Sequence, residues 1–381
     1  KLLLKQDKYE ATALHHICHS VSYQLQNVYT PIFVENPASE GAVEVLLKCA
    51  QGMEPHEAVL LLPDIYGDTV LHTACRQRDS ATPAKLVLNF VQQFTSQHFG
   101  QQFLSKFILS TNHSDHSVLH NTEREDTATL LVKSLQSGAD KMKLVTHRDK
   151  HGKNILHDAA FYHRAFSQHV FPPFSTIKFV DKLMSENEIP CDTLDKMLRQ
   201  TGNYGDTPIM LALYPDNTGK ASQFIVDVFE LLSSRTDYED TLKAVLCQRN
   251  SKGQTVFHLA ALLLPAFTNK MCLLKKLVTS ADIVECTFQW GFTDTFGNLA
   301  LHYLAGRTDT ALFVRLLGNN PLETRNRLMS QRNRAGVTCM DILNRGRMDS
   351  NFFNTSVLRG NKTVEVTVYL VKISNDYSDF L

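Results

Sequence analysis

Asp64-Ile-Tyr-Gly-Asp-Thr-Val-Leu-His72 returns, little altered, as Asp149-Lys-His-Gly-Lys-Asn-Ile-Leu-His157, Asn250-Ser-Lys-Gly-Gln-Thr-Val-Phe-His258 and Asp294-Thr-Phe-Gly-Asn-Leu-Ala-Leu-His302. Weaker copies run from Asp7 to His15, with Glu10 in the Gly place, and from Asn112 to His120, with Asp115 there. Gly202–Met210 and Asn333–Asp341 keep Gly205 and Gly336 but lack the final His. Eight registrations in 381 residues identify a repeat architecture. In such an array each unit buries its apolar face on its neighbour, so the length does not require several separate cores.

The chemistry of the phrase predicts a turn followed by a helix. Gly at the fourth place supplies the positive φ of a tight hairpin. Thr69, Thr207 and Thr255 stand where a helix begins and are suited to cap it. The apolar pair and a small residue two places after the His position (Ala74, Ala159, Ala212, Ala260) give an inner helix a compact face. A second apolar stretch follows at helical spacing: Ala84–Val91, Ile177–Met184, Phe224–Leu232, Met271–Val278 and Leu312–Leu317.

These residues resemble the ankyrin repeat, whose unit opens with a β-turn and Thr-Pro-Leu-His-x-Ala; Thr207-Pro208 is the one copy that keeps the Pro. The resemblance covers Asp7 to Leu343 and implies an all-α solenoid of about eight divergent units. The family period is about 33 residues. Here successive Gly places lie 57, 48, 37, 53, 48, 44 and 39 apart. The surplus contains Phe99–Leu109, Asp192–Arg199, Tyr238–Cys247 and Leu322–Met329, each predicting an extra short helix before a hairpin. Such helices either cover apolar surface or build a ridge for one partner. We assign residues 1–348 to the solenoid and 349–381 to a linker and cap, in which Val364, Val366, Val368 and Leu370 alternate as in a strand. That short C-terminal β segment reads as a cap on the array, as the opening strand of another domain, or as an edge open to a partner's strand.

By the same resemblance the array binds another protein through its concave face and hairpin tips. The tip positions are Ile65 and Tyr66, Lys150 and His151, Asn203 and Tyr204, Ser251 and Lys252, and Thr295 and Phe296; inner-helix ends add Arg76, Phe161, Tyr162 and Arg307. Tyr9, Tyr66, Tyr204 and Phe296 share the place before the Gly, where they either pack on the next hairpin or form an aromatic stripe. The repeated His15, His72, His120, His157, His258 and His302 are implied to bond the neighbouring hairpin backbone. Lys5–His15 and Gln248–His258 resemble repeats of inhibitor-of-NF-κB (IκB) proteins, which implies a cytoplasmic or nuclear adaptor docking a transcription factor or signalling complex.

Composition narrows the alternatives. Lys plus Arg and Asp plus Glu both number 39, leaving no global field for nucleic acid or an anionic membrane. No apolar run approaches the roughly 18 residues of a membrane span. Eight cysteines without a CxxC pair read as reduced thiols. The sequons at Asn112, Asn354 and Asn361 read as chance, and the opening at Lys1 as that of a piece of something longer. No Gly-x-Ser-x-Gly, phosphate-binding Gly-Lys loop or His-Glu-x-x-His occurs, so neither catalysis, a small-molecule substrate nor a cofactor is expected. His15 and His19 have one-face helical spacing but no second pair, so no metal is expected. Arg325, Arg327, Arg332, Arg334, Arg345 and Arg347 form a local basic bias, either a solvated end or a dock for an acidic segment or phosphate. Rival readings are the targeting array of a pathogen effector or enzyme, and an architectural spacer; the sequence leaves the oligomeric state open.

Overall fold

One side chain builds each of seven of the eight turns, the fifth opening on Gly202 instead. Asp64 accepts the backbone N–H groups of Tyr66 and Asp68 on a single oxygen, at 2.8 and 2.9 Å. Its own amide reaches the Asp68 carbonyl at 2.9 Å, closing the hairpin. Asp7, Asn112, Asp149, Asn250, Asp294 and Asn333 repeat the double acceptance. Asp and Asn open these hairpins because a short side-chain oxygen can satisfy two local amides that the turn leaves unpaired. The fourth residue then lies in the left-handed region at all eight places, with φ between 57° and 80°, including Glu10 and Asp115. Gly67 is required twice over: besides its φ of 80°, a Cβ there would stand 2.5 Å from the His113 amide.

The computed structural model describes residues 2–19, 37–50, 60–77, 80–94, 100–122, 124–165, 175–213, 221–235, 238–263, 291–306 and 322–348. The chain forms two units, Lys1–Asn203 and Tyr204–Leu381, with the division inside the fifth hairpin. Both are all-α apart from the hairpins, an ankyrin-type stack with added helices.

In the first unit the helices are α1 (Ala13–His19), α2 (Pro37–Ala50), α3 (Val70–Cys75), α4 (Thr82–Phe94), α5 (Gly100–Ile108), α6 (Glu125–Ser134), α7 (Gly138–Val145), α8 (Ile155–Ala165), α9 (Thr176–Ser185) and α10 (Thr193–Arg199). Inner helices α1, α3 and α8 follow hairpins directly; α2, α4, α6 and α9 are the outer helices; α5, α7 and α10 precede the next hairpin. All six residues of α3 are buried, which explains its unbroken Val-Leu-His-Thr-Ala-Cys composition. Burial also pushes the Cys18 and Cys75 thiols up to about 12, so they stay protonated. The third repeat departs from the pattern. Val118–Asn121 makes only turns, with the Thr122 hydroxyl donating to the Val118 carbonyl at 2.8 Å. This repeat has the shortest Gly-to-Gly spacing, 37 residues, and its Ser, Asn and Thr are weak helix formers.

In the second unit α11 (Pro208–Leu213), α14 (Val256–Leu263), α15 (Ala300–Ala305) and α17 (Cys339–Met348) are inner helices. Outer helix α12 (Ala221–Ser233) packs on α11, while α13 (Tyr238–Cys247) and α16 (Leu322–Ser330) lead into hairpins. The four linking helices expected from sequence are therefore present, and α7 is a fifth that periodicity did not reveal. The outer-helix stretches Met271–Val278 and Leu312–Leu317 and the cap at 349–381 lie outside the described residues.

Candidate functional site

The hairpins are zipped to one another by their backbones. In the first unit the amides of Ile65, His113, Lys150 and Asn203 donate to the carbonyls of Tyr9, Tyr66, Ser114 and His151 on the preceding hairpin, at 2.8 to 3.1 Å. In the second, Ser251, Thr295 and Arg334 donate to Tyr204, Lys252 and Phe296, at 2.9 to 3.1 Å. Every such bond joins the same two places of the phrase, so each tip side chain is held at one register.

The repeated imidazole anchors this ladder from below. Nδ1 of His72 accepts the Thr69 backbone N–H at 3.2 Å, which leaves the proton on Nε2 to donate to the His116 carbonyl of the next hairpin, at 3.1 Å. His15 reaches the Asp68 carbonyl, His258 that of Asn298 and His302 that of Val337 in the same way, and His120 reaches Lys153 at 3.3 Å. Thr207 caps its helix as expected, accepting the Met210 amide at 3.3 Å. At Thr69 and Thr255 the hydroxyl pairs with the imidazole instead. Burial lowers the affinity of His15, His72, His258 and His302 for a proton. Burial takes His120 down to about 3, with the His116 and His147 rings beside it adding to the shift. His15 thus has both ring nitrogens engaged, which accounts for half of the helical His15/His19 pair. Among the described residues no cluster of three His, Cys, Asp or Glu is placed to hold a metal.

A clasp not foreseen from sequence flanks the ladder. Arg148, just before Asp149, donates to the Gly152 carbonyl of its own hairpin at 2.8 Å and to the Thr201 carbonyl of the next at 2.6 Å. Arg249 does the same to Gly253 and Thr293, and Gln6 to Glu10 and Pro63. The signal was present in the sequence as a long donor before the turn-opening Asp or Asn, but its second partner lies 44 to 57 residues away.

Above this framework the tips are open. Large exposed apolar side chains among the described residues are Tyr9, Val45, Ile65, Tyr66, Tyr204 and Phe296, and all but Val45 lie on hairpin tips. Tyr66 is 65% exposed and Tyr204 54%, while their carbonyls bond the neighbouring hairpin. Lys8 stands over the Tyr9 ring with its Nζ 4.8 Å from the centroid. Lys150, His151, Asn203, Ser251 and Thr295 are exposed and Lys252 half-buried. Asn203 and Ser251 also bind the adjoining hairpin, through the carbonyls of Lys150 and Tyr204. Arg76 lies at the end of α3 in an ion pair with buried Asp68 at 2.7 Å, its own side chain 40% exposed. Phe161 and Tyr162 lie on α8, but their side chains, like all of Arg307, are outside the described residues. Within the basic bias, Arg325 and Arg327 lie on α16 and Arg332 and Arg334 in the eighth hairpin; the Arg345 and Arg347 side chains on α17 are outside the described residues.

Asp158 is the electrostatic exception. At its register in other repeats His16 bonds Asp7 at 2.9 Å and Tyr303 donates to Asp294 at 2.5 Å. In the fourth repeat both members are carboxylic acids, and Asp149 faces His116 at 3.4 Å instead. Among the described residues the Asp158 Oδ2 is buried without a partner; burial, with Asp149 nearby, pushes the carboxyl up to about 7 against the pull of His116 and Lys153.

No protein-family model and no curated protein sequence matches the chain. Among solved structures it is similar to the ankyrin repeat domain of Bcl-3, described as a member of the IκB family: 17% identity, TM-score 0.42, covering 72% of this chain and 94% of that one. It is also similar to one chain of the complex between the Bd0816 predatory endopeptidase of Bdellovibrio bacteriovorus and immunity protein Bd3460, at 16% identity and TM-score 0.36, covering 63% of this chain and 94% of that one.

Proposed function

We propose that this chain is a protein-binding repeat array that captures its partner on the hairpin tips of its units and catalyses no reaction. One observation carries the reading: of the six exposed large apolar side chains described, five stand on tips, and four of those are the aromatics of a single register. Exposed aromatics on a backbone-zipped support lose little entropy on binding and make good interface anchors. Lys150, exposed on the fourth tip, supplies charge for orientation. The finer reading is an adaptor of the IκB kind, acting in cytoplasm or nucleus on a transcription factor or signalling complex. It is supported by the Lys5–His15 and Gln248–His258 phrases.

The test is capture of partners from cell lysate by the chain and by a Tyr66→Ser/Tyr204→Ser/Phe296→Ser variant, identified by mass spectrometry. A partner lost in the variant at unchanged thermal stability supports tip binding, and its identity decides the adaptor reading. Equal capture by both chains would sink the proposal.

A further inference from the structure

The hairpins of the second unit carry one sign of charge at their surface. Among the described residues its complete hairpins are 248–256, 292–299 and 331–338, and their charged side chains are Arg249, Lys252, Asp294, Arg332 and Arg334. The one carboxylate is turned inward: Asp294 is buried and accepts the Phe296 and Asn298 amides and the Tyr303 hydroxyl. The other two hairpins open on Asn250 and Asn333, which make the same double acceptance without a charge. Arg249, Arg332 and Arg334 are exposed and Lys252 half-buried. Arg249 and Arg332 donate to hairpin carbonyls, but a carbonyl is neutral and leaves the guanidinium its charge. Arg332 also stands 3.9 Å from Asp341, an exposed pair whose attraction water screens.

These cations alternate with aromatics. The amides of Ser251, Thr295 and Arg334 donate in turn to the carbonyls of Tyr204, Lys252 and Phe296, so Tyr204, Lys252, Phe296 and Arg334 stand on four successive hairpins. Ring, cation, ring and cation thus follow one another along an edge that backbone bonds hold in register, and both rings are exposed. The first unit differs, because exposed Glu10 and Asp115 stand on the same hairpins as Lys8 and His113 and mix the signs there. In a chain with 39 residues of each sign, the one-sided edge of the second unit is a local arrangement and not a product of composition.

On the reading that partners bind at the tips, on which this inference rests, we propose that the second unit docks an acidic peptide segment of a partner protein. Its carboxylates meet Lys252 and Arg334, and its apolar side chains lie on Tyr204 and Phe296. Guanidinium and ammonium donors suit carboxylates directly, and opposite charge speeds and orients the encounter. A single-stranded nucleic acid fits less well. It asks for cations that track its backbone continuously, whereas here a ring stands on every second hairpin and the chain as a whole has no net charge.

Selection of a phage-displayed library of random peptides on the full chain tests this. Enriched peptides should be net acidic and carry aliphatic or aromatic residues. Made synthetically, they should bind at least about tenfold more weakly to a Lys252→Glu/Arg334→Glu chain, and weaken in high salt. Replacing their Asp and Glu by Lys should restore binding to that reversed chain, which also shows that it is folded. No acidic enrichment over the starting library, or acidic peptides bound equally by the reversed chain, would overturn the proposal. Neutral or basic peptides that still require Tyr204 and Phe296 would overturn it and leave tip binding standing. Peptides indifferent to Tyr204→Ser/Phe296→Ser as well would overturn both. Tighter binding of single-stranded poly(U) RNA than of the peptides, lost in the reversed chain, would replace the acidic peptide by nucleic acid.

Discussion

The base and the tip of each hairpin repeat with the same regularity and serve opposite ends. At the base an imidazole is buried, loses its readiness to take a proton, and joins two hairpins through Nδ1 and Nε2. At the tip, a few residues away, Tyr66 or Tyr204 has its carbonyl in the ladder and remains more than half exposed. Repetition alone therefore does not separate framework from interface; burial does. A residue repeated and buried is accounted for by the stack, whereas one repeated and exposed is not.

Acid should separate the two most strongly. The buried imidazoles bind protons less readily than free ones, so below about pH 6.5 the unfolded chain takes up protons that the folded chain refuses. The stability these five imidazoles contribute is full above that pH and is lost as pH drops from about 6.5 toward their lowered folded values, by several kcal/mol in all for His72 and His120, which fall to about 4 and about 3. Thermal melts at pH 7.5 and pH 5 measure it; equal melting temperatures would contradict the buried neutral state.

Next in size is one base residue against one tip residue. His258→Ala leaves the Thr255 amide and the Asn298 carbonyl unpaired and should cost about 2–4 kcal/mol in urea unfolding. His151→Ala, on an exposed tip, should stay within about 0.5 kcal/mol.

Asp158 tests the base from the other side. Its raised folded value means the native state holds a proton that the unfolded state loses, so its penalty grows as pH rises from about 4 to about 7. Asp158→Asn should therefore stabilise the chain at pH 8, by about 1–3 kcal/mol, and do little at pH 4. A gain independent of pH would show that the carboxyl is ionised throughout. Arg249→Ala should cost about 1 kcal/mol, because its two carbonyl bonds are made at an exposed surface. Smallest for stability is the tip triple Tyr66→Ser/Tyr204→Ser/Phe296→Ser, at about 0.5 kcal/mol or less per site. A steep fall in its melting temperature would move these rings from interface to framework.

Legibility followed the same division. Glu10 and Asp115 were placed in the Gly register by alignment, and both adopt the left-handed φ, because a turn is specified within five residues. The Arg148 and Arg249 clasps were not read, although each Arg sits beside its turn. A fifth linking helix, α7, was missed because Gly138–Val145 mixes Asp, Lys and apolar residues without a marked period. The tip aromatics were legible as a register but not as exposed, since the sequence permits both packing on the next hairpin and standing in solvent.

By itself the sequence determined the hairpins, their order and most of the helices between them. Those features depend on local φ preference, side-chain acceptance of nearby amides and helical spacing, all contained within a few neighbouring residues. Tertiary structure alone decided which carbonyl each imidazole reaches, why the third inner segment stops at a turn, that one Asp158 oxygen is buried without a partner among the described residues, and which aromatics stay exposed. Each of these depends on what a segment tens of residues away brings alongside, and burial in a repeat stack is set by that neighbour rather than by the residue itself.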